Sequence, residues 1–461
     1  MMNKFRTVIL CYLIHFVGIS QNNQVLYDFD EIPQTLLLNP GSNYSHDYFI
    51  GIPLLSGISL QGGATGITVY DIFSDDGRNI NDKIYDVIYG LKNDDSFIIN
   101  EKFDVFSGGF RLNDKDFLSF GLYQEFDFVF YYPSDVVQLF YEGTTNLNKT
   151  YSIEGLNFKA DMLGVLHAGI SHKVNDKFTI GGRIKLYSSV FNAQTKNNKG
   201  AFYTTLGTNN IYQHNLVDFD VTIQTTGIIS DDNEDFEPKD FTKKLYTFEN
   251  LGFGFDIGFT YKFNEQFHIT GSILDVGFVK NSKDVSTYYM RGNYDTEGIE
   301  FQFDPDNPSD YWAAFSDDFE NKLPIDTLYT SYNSYRPIKI NASAKYSFGK
   351  PYYEDCYLSN ADDPYRNAIG LQLYSIKRPL KQLFAATFFY ERRFGSFLRS
   401  KITYTLDQYS SSNIGFGISA IMKPVNLYLA VDNILYFQNL AKANSASIQL
   451  GINIIIDNKF P

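Results

Sequence analysis

The stretch LGFGFDIGFTYKF, residues 251–263, alternates between two kinds of side chain along its whole length. The odd-numbered positions are all apolar or aromatic, whereas the even-numbered positions carry glycine, Asp256, Thr260 and Lys262. Successive side chains of a β-strand point to opposite faces, so one face of this strand would be apolar and the other small and charged. The run is also longer than the usual strand of about 5–6 residues in a soluble domain. The pattern is typical of a strand that faces lipid on one side and a barrel lumen on the other.

Similar runs recur along the chain and predict an all-β fold, a transmembrane antiparallel β-barrel of about 14 strands. An even strand number is usual for bacterial single-chain barrels, and it would bring both chain ends to the periplasmic side. The approximate strand cores are residues 63–73, 102–112, 116–126, 158–173, 177–190, 251–263, 267–279, 336–348, 366–376, 383–393, 397–406, 413–422, 426–435 and 446–456.

Short and long connections alternate between these runs. Three short ones share a basic residue, an Asn-acid pair and a phenylalanine, within residues 111–117, 173–178 and 262–267. Asn and Asp tolerate the left-handed backbone angles of tight hairpins, so we predict periplasmic turns here. The long polar connections, predicted as extracellular loops, are residues 127–157, 192–250 and 280–333.

One strand changes parity part-way along its length. Phe267 to Ile273 place apolar residues at odd positions, whereas Leu274, Val276 and Phe278 continue at even positions. A β-bulge near Ile273–Leu274 would keep these apolar residues towards lipid and turn the intervening Asp275 inward.

The N-terminal residues resemble a secretory signal, with Lys4 and Arg6 before an apolar run that ends near a small-residue cleavage site. We therefore predict a signal peptide at residues 1–20, an N-terminal plug or periplasmic segment at 21–62, and the barrel at 63–461. Only Cys356 would remain after cleavage, so the sequence predicts no intramolecular disulfide.

The net charge of -14 argues against a protein that binds nucleic acid through phosphate contacts. The expected surroundings are outer-membrane lipid, with an integral location in the cell outer membrane. Other outer-membrane or surface proteins are possible partners, because tyrosine-rich loops either pack as a cap over the barrel or face a partner.

Charged side chains on the lumen parity form the candidate site. Mixed charge in a narrow lumen favours a network of ion pairs that fills the barrel or gates it, over an ion-selective pore lined by one sign of charge. The candidates are Asp161, His167, Arg183, Asp256, Asp275, Glu391, Arg393, Arg399, Lys401 and Asp432, with Lys159 and Lys185 beside them.

The sequence contains no catalytic, cofactor or metal motif, and we predict neither an enzyme nor a cofactor. The acidic stretches at 231–237 and 304–310 offer oxygen ligands that calcium accepts, but neither has the spacing of an EF-hand loop. Solvated loops are the alternative interpretation.

Four segments, 39–59, 252–258, 274–277 and 431–435, resemble an uncharacterised Bacteroidota family of outer-membrane barrels. That family is similar in architecture to the PorV and PorP/SprF barrels of type IX secretion and gliding, and more distantly to FadL-type channels. The resemblance implies a barrel of roughly fourteen strands in the outer membrane, and it transfers no catalytic residue.

The resemblance favours a non-enzymatic scaffold that presents loops to a partner, plausibly in type IX secretion or gliding. The alternative is a FadL-like channel for apolar or small solutes. In that case residues 21–62 would form a gate, and the bulge at Asp275 would mark a lateral opening.

Overall fold

The computed structural model describes residues 24–227, 249–298, 311–351, 365–395, 397–410 and 412–457. The predicted signal peptide, Cys356 and the two acidic stretches considered for calcium lie outside the described residues. In chain order the strands are β1 (Tyr48–Gly51), β2 (Ile58–Ala64), β3 (Ser96–Arg111), β4 (Asp116–Tyr131), β5 (Thr150–Ser152), β6 (Asn157–Lys173), β7 (Phe178–Leu206), β8 (Tyr212–Thr226), β9 (Leu251–Lys262), β10 (Phe267–Asn281), β11 (Val285–Thr296), β12 (Ile325–Leu328), β13 (Tyr332–Tyr335), β14 (Lys339–Pro351), β15 (Tyr365–Lys377), β16 (Gln382–Phe394), β17 (Leu398–Leu406), β18 (Asn413–Met422), β19 (Val425–Val431) and β20 (Ser445–Ile456).

The strands close into a 14-strand antiparallel barrel, as the alternation predicts. β1 and β2 together form the first barrel strand, and both pair with β20 on one side and with β3 on the other. β13 and β14 likewise share one position beside β10. The order around the barrel is β1/β2, β3, β4, β6, β7, β9, β10, β13/β14, β15, β16, β17, β18, β19 and β20.

The alternation of β9 has the predicted orientation. Phe253 and Phe255 are 62% and 48% exposed on the outer surface, whereas Asp256 is 1% exposed on the lumen side. The same alternation in the other strands gives the barrel an apolar outer surface of the kind that contacts lipid.

The first predicted strand, residues 63–73, is wrong. The barrel begins at Tyr48 and not at residue 63, because the first strand is β1 and β2, interrupted by the bend that contains Pro53. Residues 69–73 instead form a short helix, α1 (Val69–Phe73), which Thr68 caps by a reciprocal capping box with Asp71.

The predicted bulge lies in β10, with one correction. The register against β9 shifts between Ile273 and Val276, and Asp275 adopts a left-handed φ of 60° inside the barrel. Leu274 is only 3% exposed and lines the lumen, so it does not face lipid as predicted. The bulge directs two consecutive residues inward, and Val276 and Phe278 then resume the lipid-facing side.

The barrel has two different ends, which we call the turn end and the loop end. At the turn end, short connections at 112–115, 174–177 and 263–266 join the strands, and both termini of the barrel lie there. At the loop end, β7 extends past the barrel and pairs with β8, which pairs with β11 and then β12. The long stretches predicted as loops at this end therefore contain a projecting sheet, with β5 paired to the opposite edge of β7.

The loop end also carries three helices: α1, α2 (Ile80–Gly90) and α3 (Ser134–Glu142). A fourth, α4 (Tyr311–Lys322), precedes β12. No helix in the described part of the chain is long and apolar enough to cross a membrane.

Glu142 of α3 ties α3 to α2 and β5 at the loop end. Its carboxylate accepts hydrogen bonds from Tyr151 (2.6 Å), Tyr89 (2.5 Å) and Lys149 (2.6 Å). Burial raises the pKa of Glu142, but these donors outweigh that effect and lower the pKa to about 2.

We expect the helices at this end to loosen in acid because of Glu142. Its folded pKa lies below the ordinary value of 4.5, so its contribution is complete above that pH and is lost as pH falls towards about 2. Hydrogen exchange of α2 and α3, corrected for the intrinsic effect of pH, measures this loss. Glu142→Gln should increase exchange at neutral pH, whereas the exposed control Glu154→Gln should leave it unchanged; equal effects would contradict the assignment.

Candidate functional site

The lumen is occupied by residues 24–47, which we call the plug. Val25, Phe29, Ile32 and Leu36 of the plug are buried, and a single-turn 3-10 helix covers Pro33–Leu37. The plug enters from the turn end, where its last residues continue directly into β1. Plug contacts reach strands around the barrel, from Gln34 bonded to Asn453 of β20 to Asn39 bonded to the carbonyl of Phe259 in β9.

Many of the contacts that hold the plug are polar bonds from barrel side chains to plug carbonyls. Arg183 donates to the carbonyls of Leu36 and Leu37, and Lys401 donates to that of Tyr27 at 2.6 Å. Three further donors are Ser272 to Leu38 (2.7 Å), Thr260 to Gly41 (2.8 Å) and Lys345 to Asp28 (3.3 Å). Because the acceptors are backbone atoms, these bonds fix the path of the plug backbone and depend little on which side chains the plug carries.

A pair of glycines lets the plug backbone approach the wall closely. Gly181 of β7 and Gly258 of β9 are direct partners in the barrel sheet. A Cβ added to Gly181 would lie 1.9 Å from the carbonyl oxygen of Pro40, and one added to Gly258 would lie 2.1 Å from Asn39 Oδ1. Neither position has room for a side chain while the plug is in place.

One continuous chain of ion pairs lines the lumen above the plug. Near one end of this chain, the Asp256 carboxylate lies 2.9 Å from both Arg183 and Lys185, and it accepts the backbone N–H of Asp275 at 2.7 Å. Lys185 and Lys339 then pair with the Asp275 carboxylate. Beyond Asp275 the chain of pairs runs through Lys339, Glu125, Arg336, Asp161 and Lys159.

A second ion-pair network joins the plug to β14, β16 and β17. Glu391 is the central anion, with Lys345 and Arg399 at 3.0 Å and Lys401 at 3.3 Å. Glu31 of the plug pairs with Arg393 at 3.0 Å and with Arg399 at 3.4 Å. The plug thus supplies one of the carboxylates that balance these cations.

A cavity lies between the plug and the loop end, partly open to solvent, with about 90 Å³ accessible to the centres of water molecules. Its apolar lining residues include Ile98, Tyr374, Ile376, Leu383 and Tyr409. Its charged lining residues include Lys102, Glu125 and Lys339, and plug residue Gln24 also lines it. A second space, about 50 Å³ by the same measure, shares several lining residues with it and reaches Leu37, Leu38 and Asp275.

Residues 40–432 match the sequence profile of DUF5723, a family of unknown function. The chain belongs to this family. No curated protein matches it. Three solved structures with similar folds are the Pseudomonas aeruginosa FadL homologue (8% identity, 95% of this chain and 99% of that one, TM-score 0.45), the Ralstonia pickettii toluene transporter TbuX (9%, 92% and 92%, 0.40) and the P. putida toluene transporter TodX (9%, 95% and 95%, 0.38). At these TM-scores the likeness identifies neither a solute nor a mechanism for this DUF5723 protein.

The two networks bring together eight of the ten lumen residues predicted from the sequence of this DUF5723 chain. The two exceptions are His167 and Asp432. His167 is buried with its ring 5.7 Å from that of Tyr123, outside both networks. Asp432 is buried at the end of β19, where it accepts a hydrogen bond from Ser447 at 2.7 Å. Their predicted roles in gating stay predictions.

Sequence reasoning missed several members of the DUF5723 lumen networks. Lys345 and Lys339 lie on the inward parity of a predicted strand, so the alternation itself carries the signal for them. Arg336 precedes β14 and enters the lumen beside the β10 bulge, where its N–H bonds the Gly277 carbonyl. Only the paired strands reveal Arg336 as a lumen residue.

One group of side chains in the described part of this DUF5723 chain has the composition of a metal site. Ligand atoms of Asp28, Asp30 and His268 all lie within 4.8 Å of one another. The Lys345 ammonium lies 3.9 Å from the Asp30 carboxylate and bonds the Asp28 carbonyl, so a cation of the protein already balances these charges. We assign no metal to the cluster.

Proposed function

We propose that this DUF5723 protein is a gated outer-membrane conduit for apolar or small solutes, with the plug as its gate. The observation that carries the proposal is the cavity above the plug, which the plug itself closes towards the turn end. A solute entering from the loop end would reach Gln24, Leu37 and Leu38 of the plug before it could go further.

The width of the barrel supports a gate. A barrel of about 8 strands has an interior that side chains alone fill, whereas a fourteen-stranded barrel needs an additional segment to close it. The polar bonds of the plug are individually weak enough for a segment that moves: a neutral bond contributes about 0.5–1.5 kcal/mol and one from Arg or Lys about 1.5–3 kcal/mol.

The lining of the cavity supports the solute class. Ile98, Ile376 and Leu383 offer apolar contact, and Tyr374 and Tyr409 add aromatic rings. Both charge signs lie close together among the charged lining residues, so the described lumen has no ring of one sign that would select ions. An apolar body with a small polar group fits these walls.

Glu31→Gln tests the gate. Glu31 is a plug residue, so the change breaks its pairs with Arg393 and Arg399 without altering the barrel wall. Removing one partner of a fully buried ion pair costs about 3–5 kcal/mol. The pairs of Glu31 are only partly buried, so we expect a smaller cost, which still favours the displaced plug. Planar-bilayer conductance of the purified protein should rise in the variant.

The control for this experiment is Asp176→Asn at the turn end. Asp176 pairs with Lys173 but is fully solvated, and exposed pairs contribute about 0–1 kcal/mol. Its conductance should match that of the wild type. A folded Glu31→Gln protein that stays as closed as Asp176→Asn would argue against the plug as gate.

The second candidate function is a scaffold that binds a protein partner through the projecting sheet at the loop end. The observation that favours it is the exposed apolar surface of Ile325, Leu328 and Tyr329 at the edge of this sheet. The association with type IX secretion rests on the sequence resemblance alone, as does the relation to PorV and PorP/SprF.

Affinity purification from native membranes in mild detergent separates the two functions. A partner protein recovered in fixed ratio would favour the scaffold. Recovery of the barrel alone, together with a co-purifying small molecule, would favour the conduit.

A further inference from the structure

The turn between β15 and β16, Arg378-Pro379-Leu380-Lys381, bonds to the opposite side of the barrel at the loop end. Arg378 Nη1 donates to both oxygens of the Asp127 carboxylate, at 2.8 and 2.7 Å, and Nη2 donates to Asn100 Oδ1 at 3.3 Å. Lys381 donates to the carbonyl and the carboxylate of Asp94, both at 2.8 Å. Two cations of one short turn are thus tied to β4, β3 and the segment before β3.

The position of these strands makes the contact unusual. β3 and β4 are the second and third strands of the barrel order, whereas β15 and β16 are the ninth and tenth. The two pairs therefore lie on nearly opposite sides of a 14-strand barrel. A hairpin turn that simply continued its strands would point away from the barrel, so these bonds require the turn or its long side chains to reach inward across the opening.

The turn narrows the loop-side opening of the cavity that lies above the plug. Arg378 itself lines that cavity, together with Asn100 beneath it and Tyr409 from the next loop. Arg378 and Asp127 are only 6% and 4% exposed, so their ion pair is sealed from solvent. Tyr409 packs with Ile98, Val129 and Tyr131 beside the pair.

We propose that residues 378–381 form a lid over the loop-side cavity, latched by the ion pair between Arg378 and Asp127. The lid is a second gate, separate from the plug, and it controls access to the cavity from the loop end. The role of the lid in transport rests on the proposed conduit function, whereas the opening of the lid does not depend on that function. A buried pair latches well because breaking it leaves a charge buried without its partner, and the pair releases when water or another polar group replaces one partner.

The closed lid leaves hydrogen-bonding capacity unused. The Arg378 Nε and the Asn100 Nδ2 are buried and make no hydrogen bond, so the closed arrangement is not the fully satisfied one. Water or a polar group of a solute would satisfy both atoms once the turn lifts. The second anchor, Lys381 to Asp94, is partly solvated and resists opening much less.

The test measures access to the cavity and not transport. Ser59 of β2 lines the cavity, so Ser59→Cys in a Cys356→Ser background places one reporter thiol there. The rate at which a charged, membrane-impermeant maleimide labels this thiol is measured on the purified full chain in detergent, with the Cys356→Ser protein as the blank. Arg378→Gln and Asp127→Asn should each raise the rate about tenfold, which corresponds to about 1.4 kcal/mol.

Lys377→Gln is the matched control, because Lys377 is exposed and lies one residue before Arg378. It removes the same charge without touching the latch, and its labelling rate should equal that of the parent. Arg378→Lys keeps the charge and should label more slowly than Arg378→Gln. Heat-modifiable migration in gels confirms that each variant keeps the folded barrel.

The lid would be refuted if folded Arg378→Gln and Asp127→Asn labelled within about twofold of the parent, or if Lys377→Gln labelled as fast as they do. If Arg378→Gln labels faster while no plug variant raises conductance, the lid stands and the conduit fails. If plug variants conduct while labelling is insensitive to Arg378, the conduit stands and the lid fails.

Discussion

Gly181→Val should displace the plug and open the barrel. Its first added atom would lie 1.9 Å from the Pro40 carbonyl oxygen, and the neighbouring atoms are also plug backbone, which cannot rotate away. Overpacking of this kind costs about 1–3 kcal/mol, which shifts the equilibrium between seated and displaced plug by about 5–150-fold. Conductance in planar bilayers and swelling of liposomes in small solutes should both increase by a factor in this range.

Gly182→Val supplies a control one residue away on the same strand. A Cβ at Gly182 would meet only one atom within 4 Å, the Asp256 carbonyl at 3.9 Å, so the outward side has room for the side chain. Both substitutions add the same β-branched residue to β7, so they affect strand propensity alike. A Gly181→Val barrel that folds but conducts no better than Gly182→Val would show that the plug does not gate the lumen.

Asp256→Asn should cause the largest loss of stability. Asp256 lies near one end of the first network, where it neutralises Arg183 and Lys185 and accepts the Asp275 N–H at the left-handed bulge position. Removing the charge leaves two buried cations with one fewer carboxylate, and such losses cost about 3–5 kcal/mol. Guanidinium unfolding of the barrel in lipid vesicles should show a free energy of unfolding lower by this amount.

Asp220→Asn is the appropriate comparison for this measurement. Asp220 pairs with Arg291 at 2.7 Å on the projecting sheet, but both side chains are solvated. The same substitution there should cost about 0–1 kcal/mol. Similar losses for the two variants would mean that the lumen network contributes no more than a surface pair.

The stability of the wall and the gating of the plug are linked through Arg183. The same guanidinium pairs with Asp256 and bonds the Leu36 and Leu37 carbonyls of the plug. Asp256→Asn should therefore also loosen the plug, whereas Glu31→Gln acts on the plug without altering the first network. Comparing conductance with unfolding in these two variants separates gating from global stability.

Much of the barrel was predictable because alternation is a local property of the chain. Residues 251–263 predict β9 with both faces assigned, and the turn at 263–266 follows from Asn264 beside Glu265. The same reasoning failed for 63–73, where the local preference of Thr68 and Asp71 for a helix start outweighed a short alternating run. It also missed β1 and β2, because Pro53 and the bend around it hide one barrel strand in two short pieces.

The site was only partly predictable, for a different physical reason. Parity states which side chains point inward, and it correctly placed Asp256 and Asp275 in the lumen. It cannot state which inward residues meet, because that depends on strand order, register and the path of the plug. Asp256 and Arg183 are neighbours only because β7 pairs with β9, whereas β8, which follows β7 in the chain, belongs to the projecting sheet.

By itself, the sequence determined the class of fold, nearly all of the spanning strands, the two faces of each strand and the mixed charge of the lumen. These follow from a two-residue period that every strand repeats. Only the tertiary structure decided that residues 24–47 lie inside the barrel, that Gly181 and Gly258 make room for them, and that Arg378 reaches Asp127 across the opening. Those features join residues far apart in the chain through the curvature of a closed sheet, and no local pattern encodes that curvature.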